Sequence, residues 1–256
     1  MCLMFIANRC VPGYRLVVAA NRDEFHSRAT AKAHYWEETP ELLAGRDLEA
    51  GGTWLGVTIG GRFAALTNYS GPRSATVRSR GFLVSEFLQN KDIATAEYLA
   101  DVQANAGSYN GFNLLVDDGE YLGIVSNFDL PARTLKPGIY GLGNHSLDIP
   151  WPKVQRGKRL FAQLLSERAP DPMALLALMD DRRQPDEDES VTYESPTAFS
   201  SMFIEASTYG TRSISVLAFR DDGNGWFAER CYDCASCPVA TQRFDLKQTP
   251  PARMHG

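Results

Sequence analysis

Four strand–turn–strand units run through this chain, and several of their strands are apolar without alternation. CLMFIAN and RLVVAAN flank the turn RCVPGY, and TWLGVTI and RFAALTN flank Gly60-Gly61. GFNLLV and YLGIVSNF flank DDGE, and SISVLAF and GWFAERCY flank RDDGN. Gly60-Gly61 is a two-residue hairpin signal. Leu16, Val17, Val18, Ala19 and Ala20 follow one another without a polar residue. A sheet with one wet face alternates apolar and polar side chains, so this run predicts a strand covered on both sides.

Helical patterns separate the hairpins. SRGFLVSEFLQN and DIATAEYLADVQANA form a first pair, the second with Ile93, Ala96 and Ala100 at helical spacing. PKVQRGKRLFAQLLSER carries Val154, Leu160, Phe161, Leu164 and Leu165 on one stripe, with Pro152 and the preceding aspartate, Asp148, as start signals. DPMALLALMDD opens with an aspartate cap and a proline in the first helical position. Doubly covered antiparallel sheets with paired helices predict a layered α+β fold. Neither a repeat nor a dividing linker is visible, so residues 1–256 read as one domain. The acidic stretch at 185–190 reads as a solvated loop, and 231–256 as a variable hairpin and tail.

Composition removes several function classes. The chain has 256 residues and a formal net charge of −5. That balance opposes nucleic-acid binding by phosphate neutralisation and attraction to an anionic membrane surface. No apolar run reaches the roughly 18–20 residues of a transmembrane helix. CLMFIA is too short and too soon interrupted for a signal-peptide core, so a cytoplasmic location with five reduced cysteines is expected.

The phosphate-loop, dinucleotide, HExxH and nucleophile-elbow signatures are missing. The four histidines, His26, His34, His145 and His255, lack metal-ligand spacing. Cys231, Cys234 and Cys237 form CYDCASC, which supplies three ligands where a zinc site normally needs four, so incidental thiols and no metal site are expected, with a metal completed by a distant fourth ligand or a redox role as the alternatives. Cys2 differs by position. Removal of Met1 would give it both a thiol and an α-amine, with ordinary pKa values of about 8.5 and about 7.7–8.0. Such an amine is a usable base for its own thiol, whereas an amide nitrogen is not. A cysteine buried in a first strand is the plainer reading.

Asn21, Arg22, Asp23 and Glu24 end the second strand. An arginine beside a thiol favours thiolate, and a carboxylate holds an ammonium. In a regular strand Arg22 and Glu24 face one side and Asn21 and Asp23 the other. A salt-bridged strand end is the alternative. Asn68 closes the second hairpin, and Asn144 and His145 follow GIY; an amide there could serve a tetrahedral oxyanion. Arg212 at a strand start could bind a substrate carboxylate, and Tyr69 could line a pocket with Trp36, Trp54 and Trp151. Turn formation, capping and aromatic core packing are the competing roles.

Taken together, MCLMF, ANRDEF, GGTWLGV, TNY, SRGFLV, YNGFNLL, GLGNHSLD followed by PWPKV, and YGTRSISV resemble the NRDE family, whose animal members are called transport-and-Golgi-organisation proteins. The resemblance runs from Met1 to about Phe219. It implies an N-terminal nucleophile hydrolase fold, a four-layer αββα sandwich, and kinship with cysteine-type amide hydrolases. It casts Cys2 as nucleophile, Asn144 and Asn68 as oxyanion groups, and Arg22 and Asp23 as groups that tune the terminus. Two functions follow: a hydrolase of non-peptide linear amides that needs no cofactor, or a carrier of haem or a lipid-like ligand in the same pocket.

Overall fold

The computed structural model describes residues 2–69, 71, 77–129, 131–184 and 201–247. The acidic stretch at 185–190 and the tail after Lys247 therefore lie outside the described residues.

The predicted hairpins form, and they distribute between two antiparallel sheets. The first contains β1 (Cys2–Val11), β2 (Tyr14–Phe25), β10 (Gly138–Leu142), β11 (Tyr209–Arg220), β12 (Gly225–Tyr232) and β13 (Pro238–Leu246), in the order β10-β1-β2-β11-β12-β13. The second contains β3 (Thr30–Trp36), β4 (Thr39–Asp47), β5 (Leu55–Thr58), β6 (Phe63–Asn68), β7 (Phe112–Asp117), β8 (Leu122–Ser126) and β9 (Arg133–Thr134), in chain order. The glycine turn differs from the two-residue form expected. Thr58 N donates to Arg62 O at 3.0 Å, which leaves Ile59, Gly60 and Gly61 as the loop, with Gly61 at φ +89. A left-handed third position of this kind costs glycine nothing.

Among the described residues, four α-helices cover the outer faces: α1 (Gly81–Gln89), α2 (Thr95–Ala104), α3 (Pro152–Glu167) and α4 (Pro172–Met179). The run in β2 now has its explanation. Leu16, Val18 and Ala20 enter the core between the sheets with Met4, Phe63 and Leu115. Val17 and Ala19 enter the core under α3 and α4 with Phe5, Phe161 and Leu175. A third core, built on Phe87, Leu99, Phe112 and Leu114, lies beneath α1 and α2. The order of layers is helix, sheet, sheet, helix.

Asp171 caps α4 as expected, accepting from Ala174 N at 2.9 Å, with Pro172 in the first turn. Asp148 does not cap α3. Trp151 holds that cap position without a side-chain bond, while Asp148 Oδ1 accepts from Gly141 N and Lys158 Nζ, each at 2.8 Å. The three residues separating Asp148 from Pro152 leave its carboxylate free to pin the end of β10 instead.

Candidate functional site

β1 begins at Cys2, and its register sets Cys2 directly opposite Arg22 near the end of β2. Both are even-numbered positions of paired strands, so both side chains face the other sheet. Asn68 closes β6, and Asn144 follows β10, so four of the residues singled out by sequence meet where the sheets end together. They enclose a cleft of about 250 Å³ lined by Cys2, Arg22, Asp23, Asn68, Tyr69 and Asn144, with Trp54 and Tyr209 among its walls.

Cys2 N donates to Asn144 Oδ1 at 2.9 Å, across 142 residues of sequence. Asn144 Nδ2 donates to the Asn68 carbonyl at 2.5 Å, so the amide has both ends occupied. The loop holding Asn144 is tied to the second sheet by two residues that sequence reading did not single out. Thr67 Oγ1 donates to Gly143 O at 2.6 Å and accepts from Asn113 Nδ2 at 3.0 Å; that same nitrogen donates to His145 O at 2.9 Å. Thr67 and Asn113 are fully buried. Their only sequence signals were their places in TNY and YNGFNLL.

The electrostatics follow burial. Desolvation pushes the Cys2 thiol above its ordinary value; Asp23 adds to that, and Arg22 opposes it. A backbone hydrogen bond from Asp23 also favours the thiolate. Burial likewise raises the Asp23 carboxyl, against the Thr211 hydrogen bond and the charges of Lys153 and Arg22. Thr211 Oγ1 donates to Asp23 Oδ1 at 2.7 Å, and Tyr209 OH to Asp23 O at 2.8 Å. Burial lowers the Arg22 guanidinium, which stacks 4.3 Å from the Trp54 ring centre. The alternation expected of the strand holds for its neighbour: Asn21 faces the helices and donates to Met179 O and Met202 O.

The other predicted residues divide between the cleft and its surroundings. Tyr69 lines the cleft and stacks on Phe128 at 3.8 Å. His145 sits behind it, its ring edge-on to Tyr69 at 5.6 Å and to Trp151 at 5.9 Å, and is not among the cleft-lining residues. Arg212 is not among the cleft-lining residues; its Nη1 donates to the carbonyls of His26 and of Phe25, which does line the cleft. Trp36 is buried beneath β4, its Nε1 donating to Ala44 O, so the four aromatic residues do not share one pocket. In the β12–β13 hairpin, Cys231 Sγ donates to Glu229 Oε1 at 3.4 Å, and its thiol is pushed up to about 12 by burial and that carboxylate. Among the described residues no cluster of three or more His, Cys, Asp or Glu is placed to hold a metal ion. Among them, too, no helix is long and apolar enough to cross a membrane.

Two facing antiparallel sheets between helix pairs make a four-layer αββα sandwich, an N-terminal nucleophile hydrolase-like fold. The C2A mutant of the conjugated bile acid hydrolase from Clostridium perfringens shares it, with a TM-score of 0.54 over 95% of this chain and 92% of that chain at 10% identity. The family model for Transport and Golgi organisation 2 matches residues 1–234. The human Transport and Golgi organization protein 2 homolog is 36% identical, aligned over 96% of this chain and 100% of its own. The Mus musculus homolog is also 36% identical, over 90% and 92%, and the Drosophila melanogaster protein 28%, over 90% and 91%. This chain belongs to the Transport and Golgi organisation 2 family.

Proposed function

We propose that this chain is a cysteine-type hydrolase of non-peptide linear amides, with Cys2 as nucleophile once the bond before it is cut. The observation that carries the reading is the 2.9 Å bond between Cys2 N and Asn144 Oδ1 inside a cleft that also holds Arg22 and Asp23. While Met1 is attached, that nitrogen is an amide and takes no proton. Burial keeps the thiol protonated, so the reaction needs a base beside it. Freed as an amine, the Cys2 nitrogen removes the thiol proton, and the thiolate attacks the amide carbonyl. Asn144 fixes that nitrogen, Arg22 steadies the thiolate, and the Asn68 side chain receives the developing oxyanion. Collapse expels the amine, which leaves with the proton from Cys2, and a thioester remains. Water, deprotonated by the same amine, then releases the acid and regenerates the thiol.

The cleft volume supports a compact amide over a haem or lipid cargo. About 250 Å³ lies below the roughly 300–1,000 Å³ typical of sites for drug-sized ligands. Cytoplasmic residence belongs to the same proposal and is supported by five unpaired cysteines. Intact mass of active protein should show Met1 gone. Cys2→Ala should abolish turnover of small acyl amides and rapid labelling by iodoacetamide, with thermal unfolding unchanged. Active protein that quantitatively keeps Met1 would end the proposal, and a Soret shift on haem titration that survives Cys2→Ala would favour the carrier.

A further inference from the structure

One wall of the cleft is the start of α1. Ser79, Arg80 and Gly81 line the space there, and the helix has neither a side-chain cap nor an acidic residue in its first turn. Glycine makes this approach possible. A Cβ on Gly52 would lie 2.6 Å from the Gly81 carbonyl carbon, and one on Gly81 would lie 3.2 Å from Thr53 backbone atoms. At Gly52 and Gly81 the wall is therefore bare backbone. Phe82 N and Leu83 N donate to Ser79 O and Arg80 O at 3.3 and 3.0 Å, so what this start offers an anion is the positive end of the helix dipole.

A second observation points to the same ligand chemistry. Arg22 lines this cleft at 5% exposure, its Nη1 is buried without a partner, and no hydrogen bond joins its guanidinium to another described residue. Stacking on Trp54 holds the plane but satisfies no donor. A buried cation in that condition is costly until an acceptor completes it. Glu24 and Asp47 act on Arg22 through charge alone, and the hydrogen bonds of the cleft carboxylates go elsewhere: Asp47 to Arg28 at 2.7 Å, Asp23 to Thr211 at 2.7 Å, and Glu24 to the Phe25 N–H at 2.9 Å. Arg80 adds a further positive charge, one of its nitrogens donating to Gly111 O.

We infer that the cleft contains an oxyanion subsite, in which a carboxylate or phosphate group of the ligand lies between the start of α1 and the Arg22 guanidinium. The inference deepens the hydrolase reading and rests on it for the reaction. The substrate class becomes an amide bearing an acidic group a few atoms from the scissile carbonyl, because subsite and thiol share one small cleft.

Calorimetric titration at constant ionic strength, with chloride as background salt, tests this using inorganic phosphate and acetate as probes. Saturable binding of at least one probe is expected. It should weaken about tenfold or more in Ser79→Glu, which sets a carboxylate at the helix start, and in Arg22→Gln. Thermal unfolding of both variants checks that they fold, and Ser79, at the cleft wall rather than in the core, is the safer substitution. Tighter phosphate binding assigns a phosphate-bearing ligand, and tighter acetate binding a carboxylate. Heats indistinguishable from those of added chloride, or binding unchanged in folded Ser79→Glu, overturn the subsite. Anion binding in a protein that keeps Met1 and turns over no amide would sink the hydrolase and leave the subsite standing. Turnover without anion binding would do the reverse.

Discussion

Replacing Thr67 with valine preserves volume and deletes one oxygen on which the site depends. That oxygen donates to Gly143 O at 2.6 Å and accepts from Asn113 Nδ2 at 3.0 Å, in a residue with 0% exposure. Valine leaves a buried carbonyl without its donor and removes one acceptor from the amide. A buried polar group left unsatisfied costs about 1–3 kcal/mol. Asn113 Nδ2 keeps its bond to His145 O, so the amide loses less than the carbonyl. The sum is about 2–3 kcal/mol, a large share of the roughly 5–15 kcal/mol typical of a domain. Urea unfolding followed by tryptophan fluorescence measures it, with an unchanged denaturant slope expected. Thr67→Ser keeps the hydroxyl and should cost less than half as much. Because Asn144 lies between the two anchored residues, amide turnover in Thr67→Val should fall about tenfold or more through misplacement of the Cys2 nitrogen. A stability loss below about 1 kcal/mol would refute the view that this network binds the Asn144 loop to the second sheet.

Two further substitutions test the layers around the site. Glu229 is buried, and its Oε1 accepts from Ala33 N across the sheets at 2.7 Å; burial raises its carboxyl. The folded state then binds that proton more tightly than the unfolded chain, whose value is about 4.3, so stability falls as pH rises from there through the folded value. Glu229→Gln removes this term while keeping an acceptor. Its stability relative to the parent should climb with pH by at most about 1.4 kcal/mol per unit, and parallel melting curves from pH 4 to 8 would contradict the reasoning. Gly157 in α3 has no room for a methyl group: a Cβ would stand 2.1 Å from Phe5 Cζ and 2.6 Å from Met202 Sδ. Gly157→Ala gains up to about 1 kcal/mol of helix propensity but should lose about 1–3 kcal/mol to overpacking, so Tm should fall. A rise in Tm would show that Phe5 has space to yield.

What could be read in the sequence, and what could not, divides along the range of the interactions. The hairpins and helices were legible because burial on both faces leaves an unbroken apolar run, as in Leu16 to Ala20, and because Pro172 and Asp171 act on adjacent residues. β3 went unread for the converse reason: of its residues only Ala33 and Trp36 are buried. The two-residue β9 offers no period at all. Period two also predicted which side Arg22 and Asn21 would take, since a strand's geometry is local. Side-chain partners are not local. Arg212 has the charge of a substrate ligand, yet it donates to carbonyls 186 and 187 residues away. Asn144 looks like a free amide donor, yet the chain 76 residues earlier supplies an acceptor for its nitrogen and Cys2 a donor for its oxygen. Composition cannot foresee such pairings, because they arise only where the ends of two sheets are brought together. That juncture is also where Cys2, Arg22, Asn68 and Asn144 converge, so the contacts that shape the cleft are the ones least visible in one dimension. It follows that a relative retaining Cys2 and Arg22 but lacking a hydroxyl at the position of Thr67 should keep the fold and lose the geometry around the Cys2 nitrogen.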